Sequence, residues 1–358
     1  YFTEEGNVLQ ASVSHNEMAL IHEERGFYDE ALYHFERSIE LLKSLNDIPK
    51  LIQVYNNIAN VYYLLDELEH SYEYYERALS LAEKEDLVQE QIKTSSNLVD
   101  VLFSLRNHDK IGRILKRNLD YFQQVGDLFG TIITLVKLGK LNYVLGKTHY
   151  ETAYQYLNRA LEVVKKIENK ATLDPRQKAE LLWEAFYLLG ELHLIWNNDV
   201  EAKKFLLKSL EAIRAYQAEQ NLLEINVLES LATLFEIKGD ANKALNYLKK
   251  SINIHFKFGE EIKATELKVK MAHLMLDFGI EESGAMSHLQ EALDVFEQLN
   301  YTKKVAEIYH LTGDLYLKKD MIDIALENFK KAEQCYRTLK DDYHATLLEE
   351  KMRSLVGF

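Results

Sequence analysis

The chain has 358 residues, with 43 Lys+Arg against 57 Asp+Glu for a formal net charge of −14, and it holds 14 Gly, two Pro and one Cys. So few prolines and glycines leave little with which to punctuate strands or linkers, which argues for nearly continuous helix. The acidic balance disfavours a general nucleic-acid or anionic-membrane binder, because phosphate neutralisation needs clustered Lys/Arg, and one cysteine excludes an intramolecular disulfide and suits a reducing compartment.

At the amino end, Tyr1–Gln10 is polar and carries Glu4 and Glu5, so no signal peptide is expected there. A start at Tyr1 rather than Met suggests an excised or processed piece. From here the chain repeats. The small residues Ala19, Ala59, Val99, Gly139, Gly190, Ala232, Ala272 and Gly313 are spaced by 40, 40, 40, 51, 42, 40 and 41 residues. Some twelve residues beyond them stand further small residues, among them Ala31, Ser71, Ala153, Ala202, Ala244, Ala285 and Ala325. Four residues on comes a large apolar one: Phe35, Tyr75, Leu115, Leu157, Leu206, Leu248, Leu289 and Phe329. This spacing predicts helix, short turn, helix in each unit. Small residues sit where two axes approach closely, and apolar residues at spacings of three and four fill the seam. One such unit cannot bury both faces, so stability comes from stacking on neighbours.

The third unit is degenerate, with Val99, Ile111 and Asn118 at its small positions, and local irregularity is expected there. The longest connection carries its extra residues in Lys165–Lys178, with Asp174 as N-cap and Pro175 at the first helical position of the next helix. Two readings stay open: an insertion in a continuous stack, or a hinge between two four-repeat halves. The expected organisation is units one to four over 1–165, a longer connection over 166–180, units five to eight over 181–341, and a capping helix with tail over 342–358. The apolar stretches Phe129–Gly146 and Leu181–Trp196 are interrupted by charges, so no membrane span is expected.

The pattern resembles the tetratricopeptide repeat family from about Ser12 to Lys340. It is carried by segments such as Asn57-Ile58-Ala59-Asn60-Val61-Tyr62 with Ser71, Tyr75 and Ala78, and Leu311-Thr312-Gly313-Asp314-Leu315-Tyr316 with Ala325, Phe329 and Ala332. The family's usual unit is shorter, about 34 residues, and the proline that often closes it is absent. The 40-residue pitch is similar to that of spindle-orientation adaptors, kinesin light chain, the maltose-regulon activator's sensor domain and bacterial peptide-pheromone receptors. The resemblance implies an all-α, right-handed α-solenoid whose concave face, lined by first helices, holds a peptide, a partner segment or a small effector.

Carried onto this chain, the family's carboxylate clamp finds Asn60, Asn97 and a basic Lys137, but Asn56 and Ile133 stand where further lysines belong, and Asp100 would repel an anion. A looser grip on a peptide backbone by Asn56, Asn60 and Asn97 is the fuller expectation, since an amide offers donor and acceptor, with Asn16 and Asn226 on the same inner surface. Tyr63, Phe103, Tyr143 and Tyr187 are expected to form aromatic pockets, or else to pack on the next helix. Lys93, Lys140, His273 and His310 complete the expected inner surface, with Glu191, Glu229, Thr233 and Asp314 beside them.

Charge is uneven. Residues 91–170 hold 13 Lys+Arg against 7 Asp+Glu, inside acidic flanks. Arg106, Lys110, Arg113, Lys116 and Arg117 form either a solvated face or a dock for an acidic partner segment. No His-Glu-x-x-His, phosphate loop or Gly-x-Ser-x-Gly occurs, so neither enzyme activity, metal nor cofactor is expected. The reading is a cytoplasmic peptide- or protein-binding repeat module with regulatory function. Its alternatives are the sensor half of a peptide-responsive bacterial transcriptional regulator shorn of its DNA-binding domain, or a scaffold that self-assembles, for instance as a homodimer.

Overall fold

The structure, a computed structural model, describes residues 7–168, 173–216 and 221–357. Those residues form seventeen α-helices and one short 3-10 turn, with no strand among them. The first repeat is α1 (Val8–Glu24) and α2 (Tyr28–Leu45), followed by α3 (Ile48–Leu64) and α4 (Leu68–Lys84), and α5 (Val88–Ser104) and α6 (His108–Val125). The fourth is α7 (Leu128–Val144) and α8 (Tyr150–Glu168), joined through the turn Lys147–His149. Then come α9 (Pro175–Ile195) and α10 (Asp199–Tyr216), α11 (Leu223–Ile237) and α12 (Ala241–Lys257), and α13 (Glu261–Asp277) and α14 (Glu282–Gln298). The last pair, α15 (Thr302–Lys318) and α16 (Ile322–Thr338), precedes a final helix, α17 (Asp342–Val356). Within each repeat the two helices pack on one another, and each helix packs on the next in sequence inside two compact units, one through Leu173 and one from Asp174. Residues 169–172, within the connection expected to be a hinge or an insertion, lie outside the described residues.

The turns have a common geometry. In the first unit a residue with left-handed backbone closes each of α1 to α7: Gly26, Asn46, Asp66, Asp86, Arg106, Gly126 and Gly146. The interval is 20 residues throughout, a 17- or 18-residue helix plus its turn. In the second unit Gly239, Gly259, Gly279, Asn300, Asp320 and Lys340 keep nearly the same step. A left-handed residue at the end of a helix lets the next amides reach back to its last carbonyls and reverses the chain, which is why no closing proline is needed. Helix starts are fixed by carboxylate and amide caps: Asp47, Asn107, Asp127, Asp174, Asp240 and Asp341 each accept a backbone N–H three residues on, Asp127 at 2.9 Å from Gly130 N.

The small residues lie where the periodicity placed them. A methyl group added to Gly139, Gly190 or Gly313 would meet Leu157, Leu206 or Phe329 at 2.5 to 2.7 Å. Each of those partners is the large apolar residue of the same repeat, fully buried. The third repeat departs from expectation, because α5 and α6 are regular. Val99 and Ile111 are fully buried, and Asn118 is sealed in the seam by donating to the hydroxyls of Ser95 and Ser96 at 3.1 and 3.0 Å. A polar pair here replaces the usual small-to-large contact.

Candidate site on the first-helix face of repeats six to eight

Every residue expected on the inner surface falls on a first helix: Asn16 on α1, Asn56, Asn60 and Tyr63 on α3, Lys93, Asn97 and Phe103 on α5, Lys137, Lys140 and Tyr143 on α7, and Tyr187, Asn226, His273 and His310 on α9, α11, α13 and α15. Their environments differ. Asn56 is a correction: at 3% exposed it lies inside the stack, donating to the Ile52 carbonyl at 3.0 Å and the Thr94 hydroxyl at 2.9 Å. It ties α3 to α5 through both N–H bonds of its amide, and its Oδ1, without a hydrogen-bond partner among the described residues, is sealed from any ligand. Asn60 accepts from the hydroxyl of Tyr75, whose burial suppresses its ionisation, and Asn16 accepts from Asn57 at 3.2 Å. Tyr63, Lys93 and Asn226 are exposed, and Asn97 is half-buried.

The basic middle is also less available than its charge suggested. Lys137 donates to Asp100 at 2.8 Å, so the carboxylate expected to repel a ligand anion instead holds this lysine. Lys140 lies 5.2 Å above the Phe103 ring, and Tyr143 stacks on Tyr150 at 5.8 Å. On the outer helices, Lys110 reaches Glu76 and the Tyr72 hydroxyl, both at 2.8 Å, while Arg117 donates to Ser95 at 2.9 Å. In the first unit a cleft beside Asn16 holds only about 140 Å³, less than the ~300 Å³ at which ligand sites begin.

Polar rungs link neighbouring first helices. Lys137 meets Asp100, and Lys270 meets Thr233, each partner 37 residues back; Asn57 meets Asn16, and Lys318 meets Asp277, each 41 back. On the last helix, Lys351 meets Asp314, again 37 residues back. Positions about one repeat apart therefore face each other from adjacent first helices, and this register can be read from the sequence once the pitch is known.

The second unit carries the larger opening, about 500 Å³, between α13 and α15 with the edge of α11. Its α13 wall is one helical stripe, Glu266, Val269, Lys270, His273, Leu274 and Asp277, and its α15 wall another, Leu311, Asp314, Leu315 and Lys318, with Glu236 from α11. Val269, Leu274, Leu311 and Leu315 make the apolar surface. Around them Lys270 pairs with Glu236 at 3.7 Å, Lys318 with Asp277 at 3.1 Å, and Lys304, outside the opening, with Glu266 at 2.9 Å. His273, the expected residue that does line this groove, is mostly buried; burial pushes its pKa down to about 4, so the ring is neutral at pH 7. Its Nε2 is sealed from solvent with no hydrogen-bond partner among the described residues. His310 lies on the same helix as Leu311 but turns toward Phe329 and Tyr336, at 6.1 and 6.2 Å between ring centres. Tyr187 packs against the core around Leu228 and Leu231, where desolvation raises its pKa to about 12.

The apolar groove residues were not legible as ligand contacts, because in sequence they continue the same periodic stripe that elsewhere fills the seam. Among the described residues no group of three or more His, Cys, Asp and Glu could hold a metal ion, and no helix is long and apolar enough to cross a membrane.

This architecture, paired helices of even length closed by left-handed turns and stacked through small-to-large seams, is that of the tetratricopeptide-repeat α-solenoids. Residues 9–84, which span the first two repeats, match the sequence model of the tetratricopeptide repeat. No curated protein matches the chain by sequence. Among solved structures, a signal transduction ATPase with a tetratricopeptide repeat sensor from Pyrococcus horikoshii aligns over 94% of this chain at 15% identity and a TM-score of 0.61. The chain spans half the length of that protein. The apo form of the quorum sensor NprR from B. thuringiensis aligns over 89% of this chain and 87% of its own, at 14% identity and a TM-score of 0.61.

Proposed function

We propose that the chain is a peptide- or protein-segment-binding repeat module that uses the faces of its first helices, as part of a regulatory protein. The observation that carries this reading is the groove between α13 and α15, lined entirely by first-helix side chains, apolar in its middle and charged around its edge. Sites of this kind take an apolar side chain for affinity and use a few placed polar groups for orientation. The shared fold with two proteins described as sensors supports the narrower reading that the groove is the input side of a signalling protein. The role proposed is recognition, with no chemical step. The test is hydrogen exchange on the full chain with hexapeptides selected against it from a random library. Bound peptide should slow exchange in α13 and α15; protection confined to the second helices α14 and α16 would reject the reading.

A further inference from the structure

The rung register gives the groove a chemical preference. Counting 37 residues back from Lys137, Lys270 and Lys351 reaches Asp100, Thr233 and Asp314, so a lysine usually faces an acceptor. The same count from Asp314 reaches Asp277, so at this rung one carboxylate faces another, and both line the groove. Each is met from outside the pair, Asp277 by Lys318 and Asp314 by Lys351. The Lys318–Asp277 bridge is exposed, at 67% and 46%, and exposed ion pairs hold little net stability, so an incoming cation can displace Lys318 cheaply, while the Lys351–Asp314 bridge is half-buried and stays in place.

The remaining lining points the same way. Four carboxylates, Glu236, Glu266, Asp277 and Asp314, line the groove beside the two ammoniums of Lys270 and Lys318; Lys304 and Lys351 reach Glu266 and Asp314 from outside the lining, and the neutral His273 adds no positive charge. An anionic group would have to draw a lysine from its carboxylate and sit beside the charge left behind, whereas a cation meets acceptors already in place.

Resting on the binding reading above, we propose that the groove between α13 and α15 selects a segment carrying an apolar side chain next to a Lys or Arg. The apolar group lies on Val269, Leu274, Leu311 and Leu315, and the cation sits between Asp277 and Asp314.

The test selects peptides from a random hexapeptide library displayed on phage, using the full chain and its Asp277→Asn/Asp314→Asn variant. The wild-type pool should be enriched in Lys or Arg adjacent to Leu, Ile, Phe or Met, and the variant pool should lose the basic residue while keeping the apolar one. One selected peptide and its Lys-to-Gln or Arg-to-Gln version are then measured by calorimetry on both proteins. On the wild type, removing the peptide cation should weaken binding about 10- to 100-fold; on the variant it should change almost nothing. Equal losses on both proteins, or pools enriched in Asp and Glu, overturn the cation preference while leaving a peptide-binding module standing. Selection of no peptide at all overturns both readings. Melting temperatures of the two proteins within a few degrees of each other show that the comparison is between folded states.

Discussion

Gly313→Ala is the most direct perturbation of the seam that holds the groove's second wall. The added methyl would stand 2.5 and 2.6 Å from Phe329 Cε1 and Cδ1, and 3.2 Å from the Ala325 carbonyl oxygen, where carbon contacts are comfortable at about 3.5–4.0 Å. Phe329 is fully buried among Ala306, Ala332 and Tyr336. Overpacking of this kind costs about 1–3 kcal/mol. Replacing a mid-helix glycine by alanine returns about 1 kcal/mol of helix propensity. The expected net is a loss of up to about 2 kcal/mol, concentrated in α15 and α16. The assay is hydrogen exchange across those helices, combined with urea unfolding of Gly313→Ala, Phe329→Leu and the double variant. Phe329→Leu opens room for the methyl, so the double variant should be more stable than the sum of the single changes implies, by about 1 kcal/mol. A gain in stability for Gly313→Ala alone, or strict additivity, would show that the glycine is not required by the close approach. The first repeat makes the result informative, because Ala19 and Phe35 occupy the matching positions there and both are fully buried.

Other perturbations separate structure from recognition. Asn56→Ala should cost about 1–2 kcal/mol in urea unfolding through loss of the Thr94 hydrogen bond, while leaving the affinity of any selected peptide unchanged. Arg106 has left-handed backbone at φ 55°, so Arg106→Gly should relieve about 0.5–1 kcal/mol and raise the melting temperature, whereas Gly126→Ala, at φ 74°, should lower it. The His273 pKa lies near 4 in the folded chain against an ordinary 6.5. The unfolded chain therefore binds the extra proton first, and stability present above pH 6.5 falls as pH drops toward 4, by at most about 3 kcal/mol. In His273→Gln that part of the pH dependence should vanish from melting curves taken between pH 4 and 7. Glu224 is 1% exposed and held by Arg214 at 2.7 Å; Arg214→Ala strands the carboxylate and should cost about 2–4 kcal/mol in urea unfolding.

The helical pairs, their pitch and their seams were legible because each rests on periodic spacing of side-chain size, which a single sequence displays openly. Gly139, Gly190 and Gly313 announced close approaches, and the large residues facing them were named by the same count. The site was harder to read. Asn56 and Asn60 have the same residue type on the same helix, yet Thr94 draws one into the stack, while the other turns to Tyr75. That choice depends on which side chains the neighbouring helices supply, Thr94 one repeat on and Tyr75 within the same repeat, not on the asparagines themselves. The basic middle misled for a related reason: a net charge counts ions, but Lys110, Lys137 and Arg117 are each directed to a specific partner on a neighbouring helix. Leu311 and Leu315 escaped notice because an apolar stripe that faces a groove has the same spacing as one that faces another helix.

The even step of the left-handed residues sets what the first unit can tolerate in length. Positions 26, 46, 66, 86, 106, 126 and 146 act as a ruler graduated in single helices, while the rungs between first helices count in pairs. Excising forty residues between equivalent marks removes one whole storey and leaves every later helix on its own side. Excising twenty keeps all the remaining turns but exchanges the two sides of the stack from that point on, so that side chains meant for a ligand are driven into the seams. Gains and losses of length in such a chain are thus quantised in pairs of helices, even though its turns repeat at every one.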